Sequence, residues 1–405
     1  MVSGQRGGKL PPRLLKVGML DYEAFRIRQI AAKDTAFQGV AATVLDAAEA
    51  RLAQADTIDD FRLEAMRTLA LGRNGHSRAI ANAAVQVAPV RLVWLANGPC
   101  LVEGPEAGAQ LLAVNGISVA EIFARLRPYL AGTDQRARAL AGFMLAWPPA
   151  VALVTGVPTP VYRLVTVGGD LVELATSDTV PAEALYPVAE RGVADQLIAH
   201  QGIAEVGEAR RGTFLRQLAG QVPYVRIGDL SAAPPLTTVA QLSAIAAEIR
   251  GARRLVVDLR GNPGGDFFGT ATFARDLPKI APEAALAVLV DKFTFSAALV
   301  AAALLKFHAG GRLVGEEMGD AAAFHAEGGT EVLPQSGLSI RYSDGWHDWA
   351  KGKADAVLTP PEIAREMVPA GSLTPDIVAT PTGANLASGR DTTLAAALAM
   401  VREQH

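Results

Sequence analysis

The chain has 405 residues, half of them hydrophobic and a fifth charged; this is globular composition, long enough for two or three domains, and it excludes a disordered protein. A net charge of −3 and the lack of basic stretches interleaved with aromatics give no nucleic-acid partner, and the single cysteine, Cys100, excludes an internal disulfide or a thiolate metal cluster. No apolar run approaches the roughly 20 residues needed to span a bilayer, so no integral membrane segment is expected.

Residues 1–20 read as a loose basic tail. They carry positive charge without the apolar stretch of about 7–15 residues that a secretory signal needs, so the chain as it stands reads as cytoplasmic. Residues 21–89 read as a helical region, Ala-rich and free of Pro from Asp21 to about Arg73. Thr57 and Asp60 have the spacing of a capping box that opens its second helix. Immediately after the helical pattern comes "LGRNGHSRA", a loop of small polar residues suited to presenting His76.

From 90 to 180 the texture changes to short apolar runs, "VRLVWLA", "AQLLAVNG" and "VYRLVTV", separated by Gly and Pro. These predict a β-rich module with one helix, "EIFARLRPYL". Residues 181–215 form a connecting segment without clear pattern.

Residues 216–405 alternate strand and helix. "YVRIGDL" predicts a strand. The following stretch puts Val239, Leu242, Ile245, Ala246 and Ile249 on one helical face, with Gly251 placed to end it. Strand 255–259, a helix from about 266 to 277, strand 285–290, a helix starting near Ser296 and strand 312–315 follow. Short strand–helix–strand connections predict parallel pairing, hence an α/β core. Residues 333–353 read as a polar loop carrying Trp346 and Trp349, and Asp391 is placed to cap a terminal helix.

In parallel sheets, ligands gather beyond the C-terminal strand ends. One such end runs into "RGNPGG", the other into "DKFTFSAALVAAALLKF". Ser296, at a helix start, is placed as a nucleophile, and the Ala297 N–H beside it is unpaired by helix geometry. Gly264 and Gly265 carry no side chain, so their N–H groups can approach a reacting carbonyl and complete an oxyanion hole. Two plainer readings stand beside this one: "NPGG" as a simple turn and Ser296 as a simple N-cap. A nucleophilic serine needs a base. Of the six histidines His76 is the candidate, although a lone loop histidine also reads as a surface residue.

"VVDLRGNPGGD", then "TFSAALVAAALL", then "GGRLVGEEMGD" resemble peptidase family S41, which contains the C-terminal processing proteases and the tricorn core protease. "NGHSRA" resembles the histidine element of tricorn-like members, and "GAQLLAVNGISVAEIFARL" the end of a PDZ-like module. The resemblance implies a ClpP/crotonase-like parallel-sheet protease core with an inserted PDZ-like module. It makes Ser296 the nucleophile, His76 the general base, and Gly264 or Gly265 with Ala297 the oxyanion hole. No lysine occurs in "VGEEMGDAAAFHAEGG", which disfavours a Ser–Lys dyad and points to the Ser–His subgroup. Glu316 is the first choice to orient His76, with Glu317 and Asp320 behind it. Asn74 stands where the family has Asp, a change expected to affect loop geometry.

The expected function is therefore a serine endopeptidase acting on unfolded or extended polypeptide, without metal or cofactor. The alternatives are a catalytically inactive S41-like binding or scaffold protein and, more remotely, an acyl-CoA enzyme of the crotonase-like fold. The family resemblance implies a periplasmic or secreted protein if a signal has been removed.

Overall fold

A computed structural model describes residues 12–82, 85–185, 192–230 and 235–403. At the centre is a six-stranded sheet in the order Thr213–Leu218, Val222–Ile227, Arg254–Asp258, Ala285–Val290, Arg312–Gly315, Ile377–Val378. The first two strands form an antiparallel hairpin, and every later pairing is parallel.

The inner strands are buried on both faces, so they read as continuous apolar runs. Alternation sorts them. Leu255, Val257, Val288 and Val290 pack with the helices Pro235–Glu248, Phe268–Ile280 and Ala297–Ala309. Val256, Ala287 and Leu289 face the other way, onto Leu394, Ala397 and Met400 of the terminal helix Thr392–Glu403. In Pro235–Glu248 the buried face is narrower than the spacing predicts. Leu242 and Ile245 are buried, as is Ile249 just past the helix end, but Val239 is exposed.

Of the expected basic tail, residues 1–11 lie outside the described residues, and a helix already runs from Pro12 to Lys33. Helices Ala42–Ala53 and Ile58–Ala70 follow, the latter opened by a capping box in which Thr57 and Asp60 bond each other's backbone N–H. Their apolar faces close on Leu333, Leu338 and Ile340. Those residues come from a hairpin, Gly329–Leu333 with Leu338–Tyr342, so part of the stretch expected to be a polar loop is sheet. Trp349, also placed in that loop, is fully buried.

Between about 90 and 180 lies an antiparallel sheet with neighbours in sequence order, from Leu92–Leu95 to Leu171–Ala175. The expected helix is Val119–Leu126, and two more, Asp134–Ala146 and Pro148–Thr155, join it. The Asp134–Ala146 helix presses so closely on the sheet that a Cβ at Gly142 would lie 2.0 Å from Leu92 O. Among the described residues no single helix is long and apolar enough to cross a membrane.

Candidate active site

Four residues of "RGNPGG", Arg260, Gly261, Asn262 and Gly264, are committed to separate contacts. Strand Arg254–Asp258 ends on a buried carboxylate that bonds Arg226 at 3.0 Å and Arg260 at 2.7 Å. Burial alone would raise the Asp258 carboxyl; Arg260 and Arg226 overcome that and hold it at about 2. Arg260 also grips Asp391 through two bonds, 2.8 and 2.9 Å, and Asp391 Oδ1 accepts the Leu394 N–H of the terminal helix. Gly261, at φ 70°, donates its N–H to Asp291 Oδ1 at 2.9 Å. Asn262 donates to Ile227 O and accepts the Gly264 N–H, each at 2.9 Å. Gly264, at φ 98°, lies so close to the neighbouring turn that a Cβ there would sit 2.7 Å from both Phe295 O and Ser296 Cβ.

That neighbouring turn leaves strand Ala285–Val290. Asp291 Oδ1 accepts the N–H groups of Phe293 and Thr294, Thr294 Oγ1 donates to Leu259 O, and Phe295 N–H donates to Asn262 O. Two strand ends are thus stitched into one platform. Ser296 sits at its edge with φ 56° and ψ −126°, a conformation that costs a non-glycine residue of order 1–3 kcal/mol. Its side chain makes no capping bond to the helix Ala297–Ala309. The simple N-cap reading of Ser296 therefore fails.

The expected oxyanion donors separate. The Gly264 N–H is taken by Asn262, whereas among the described residues no acceptor is bonded to the N–H of Gly265 or of Ala297.

His76 arrives from the far side of the chain. Asn74 Nδ2 donates to Ser77 Oγ and Ser343 Oγ, both at 3.0 Å, and Ser77 Oγ donates to Asp34 Oδ2 at 2.6 Å. The strand Arg78–Ala81 then pairs with Leu338–Tyr342 of the hairpin. The imidazole is 3% exposed and packs on Phe295 (centroids 4.6 Å apart) and Phe324 (5.2 Å). Its Nε2 lies 3.2 Å from Asp320 Oδ2, and its Nδ1 is buried without a hydrogen-bond partner. Burial, reinforced by Arg78, Arg341 and Arg136, pushes its pKa well below the usual histidine range. Burial likewise raises the Asp320 carboxyl to about 7, against the pull of Arg136.

The carboxylate expected to orient His76 is thus not the one beside it. Glu316, ending strand Arg312–Gly315, is buried in an ion pair with Lys292. Asp320, four residues on, carries the contact instead. Its loop is held by Gly319 N–H donating to Thr294 O and by Thr133 Oγ1 donating to Gly319 O. Arg136, whose guanidinium lies 3.9 Å above the Phe295 ring, comes from the helix that the sequence reading missed. In "GEEMGD" no periodicity distinguishes one acid from another, and nothing in "DQRARAL" marks its arginine.

His76, Ser296, Gly264 and Gly265 line one cavity of about 600 Å³. Among the described residues no three His, Cys, Asp or Glu side chains are grouped to hold a metal ion. The chain's own resources are a strained serine, a neutral imidazole held by an acid, and two N–H groups at a helix start and a glycine turn. Together they suit acyl transfer.

No family model matches the chain, and no curated protein matches its sequence. Among solved structures it is similar to mature CPAF, with a TM-score of 0.59 over 93% of this chain and 95% of that one at 12% identity. It is similar also to mature CPAF complexed with lactacystin, at 0.58 over 96% and 98%, again at 12% identity. Tricorn protease aligns with 96% of this chain and 37% of its own, at a TM-score of 0.43 and 11% identity. The two CPAF likenesses show a shared mixed α/β fold. The tricorn one adds nothing to that.

Proposed function

We propose that the protein is a serine peptidase of the S41 type, in its Ser–His subgroup, hydrolysing extended polypeptide through an acyl-enzyme on Ser296. The observation that carries this reading is Ser296 itself. A strained serine that caps nothing faces the same cavity as a buried histidine with an unsatisfied nitrogen. The parallel strands in sequence order, with helices Pro235–Glu248, Phe268–Ile280 and Ala297–Ala309 on one face, support a ClpP/crotonase-like core. The antiparallel sheet of residues 92–175 is read as the PDZ-like module.

With Asp320 ionised and accepting from Nε2–H, the Nδ1 lone pair is the one left to take the Ser296 proton. The Ser296 oxygen then bonds to the scissile carbonyl carbon, and the carbonyl electrons move onto oxygen, facing the Gly265 and Ala297 N–H groups. The imidazolium returns the proton to the leaving amine as the C–N bond breaks, and water deacylates the enzyme by the reverse route. Gly264 shapes the hole without donating to it, and Asp320 takes the place expected for Glu316. A casein digest followed by mass spectrometry tests the activity. Wild type should release peptides and Ser296→Ala should release none, whereas equal release by both would end the reading.

A further inference from the structure

The polar atoms of His76 fix its ring at one point only. Nε2 meets Asp320 and Nδ1 has no hydrogen-bond partner, so the ring stands largely where the backbone of residues 72–77 puts it. That backbone is gripped at three places. Gly75 lies against Phe295, where a Cβ would fall 2.9 Å from the ring. The other two grips come from one short turn, Thr35–Phe37, which follows the first helix. A Cβ on Gly72 would lie 2.5 Å from the Phe37 ring, and Ser77 Oγ donates to Oδ2 of Asp34, the residue that caps the turn. Between these grips Arg73 has a left-handed backbone at φ 51°, a costly conformation for a side-chain-bearing residue that needs such restraint.

Asp34 is 2% exposed, and no cation is paired with it among the described residues. A buried carboxylate in that position must be met by donors. The Ala36 N–H supplies one to Oδ1 at 2.9 Å, and the Ser77 hydroxyl another to Oδ2. Burial raises the Asp34 pKa, and the Ser77 bond is the foremost contact opposing that rise. A hydroxyl has one proton to give. Ser77 spends it on Asp34, so towards Asn74 it accepts, and Asn74 Nδ2 donates to it and to Ser343 Oγ. The chain Asn74 to Ser77 to Asp34 therefore runs one way, from amide to carboxylate, through three buried side chains.

We infer that Asp34 is a positioning residue for His76, acting through Ser77 and matched to the amide of Asn74, so that the turn after the first helix belongs to the catalytic unit. Carboxylates at both ends of the chain would compete for one proton. Amides at both ends would leave the Ser77 proton without an acceptor. Swapping the two reverses the chain and keeps it complete. A ring displaced by about 1 Å is enough to cost about 10²-fold in rate. The inference rests on the peptidase reading for the role in catalysis, whereas the hold on the loop is measured without turnover.

Asp34→Asn, Asn74→Asp and the double swap of both are compared with wild type. Amide hydrogen exchange read by mass spectrometry follows residues 71–79, and cleavage of fluorescein-labelled casein gives kcat and KM. Each single variant should speed exchange in 71–79 by at least about tenfold while the terminal helix Thr392–Glu403 stays protected. Each should also lower kcat about a hundredfold with KM within about twofold of wild type. The double swap should recover about tenfold over the worse single variant in both readouts, the mark of two coupled residues. Ser77→Ala deletes the relay without adding charge, and keeps the test decisive where a single variant does not fold. It should show the same losses, and the swap added to it should recover nothing. Single variants with wild-type kcat, a loss carried by KM, a double swap no better than the worse single variant, or recovery in the Ser77→Ala background overturns the inference. Wild type that leaves casein uncut removes the peptidase reading instead, and exchange in 71–79 then decides whether Asp34 holds the loop.

Discussion

At the scale of single residues the site depends on which of two buried groups holds a proton. Asp320 is raised to about 7 by burial, while His76 is pushed below its usual range and stays neutral at and above that pH. When Asp320 is protonated its O–H donates to His76 Nε2, the ring proton moves to Nδ1, and no lone pair faces Ser296. Ionisation of Asp320 reverses this, so kcat/KM is predicted to rise with pH through about 7. Asp320→Asn should lower turnover by up to about 10⁴ and abolish that rise, because an amide can hold the wrong tautomer. A rise that survives in Asp320→Asn would assign it to another group. Gly264→Ala is the second residue-level prediction. Its Cβ would meet Phe295 O and Ser296 Cβ at 2.7 Å from a left-handed backbone, so activity should fall at least about a hundredfold, the scale of a lost oxyanion donor. A kinetic assay on folded protein checks it.

Among the elements, the parallel core was legible and the elements that complete the site were not. Strands Arg254–Asp258, Ala285–Val290 and Arg312–Gly315 lie within a residue of where the apolar runs place them, because strands buried on both faces leave an unbroken signal. The hairpin Gly329–Leu333 with Leu338–Tyr342 was hidden. Its turn is fixed by a distant residue, Glu23, which accepts the N–H groups of Gln335 and Ser336 at 2.6 and 3.0 Å. Ser296 and His76 could be singled out from short motifs, but Asp320 could not. Its selection over Glu316 is made by Lys292, which claims Glu316 from another turn. The ion pairs below the glycine turn make a prediction at this scale. Asp258 is depressed to about 2, below the 3.8 of a free aspartate, so its contribution is full above pH 4 and is lost as pH falls through 2. Asp391→Ala leaves Arg260 with one buried partner in place of two, and should destabilise by about 3–5 kcal/mol. Urea unfolding at pH 7 measures it.

Across the whole molecule, the site is assembled from three regions distant in sequence: the His76 loop, the core turns and the Asp134–Ala146 helix. The sheet of residues 92–175 meets the core at a backbone contact so close that a Cβ at Gly383 would lie 2.0 Å from Gly108 O. Gly383→Val should force the two apart, lower the melting temperature, and slow reaction at Ser296, because Thr133 and Arg136 would no longer brace Gly319 and Phe295. Unchanged reactivity in a protein of lowered stability would show that the core builds the site alone.

All of this depends on Ser296 being an activated nucleophile. Fluorophosphonate labelling, read by intact mass on wild type, Ser296→Ala and His76→Ala, measures that directly. The account predicts one adduct on wild type and none on either variant. An adduct on Ser296→Ala, or none on folded wild type, would contradict it.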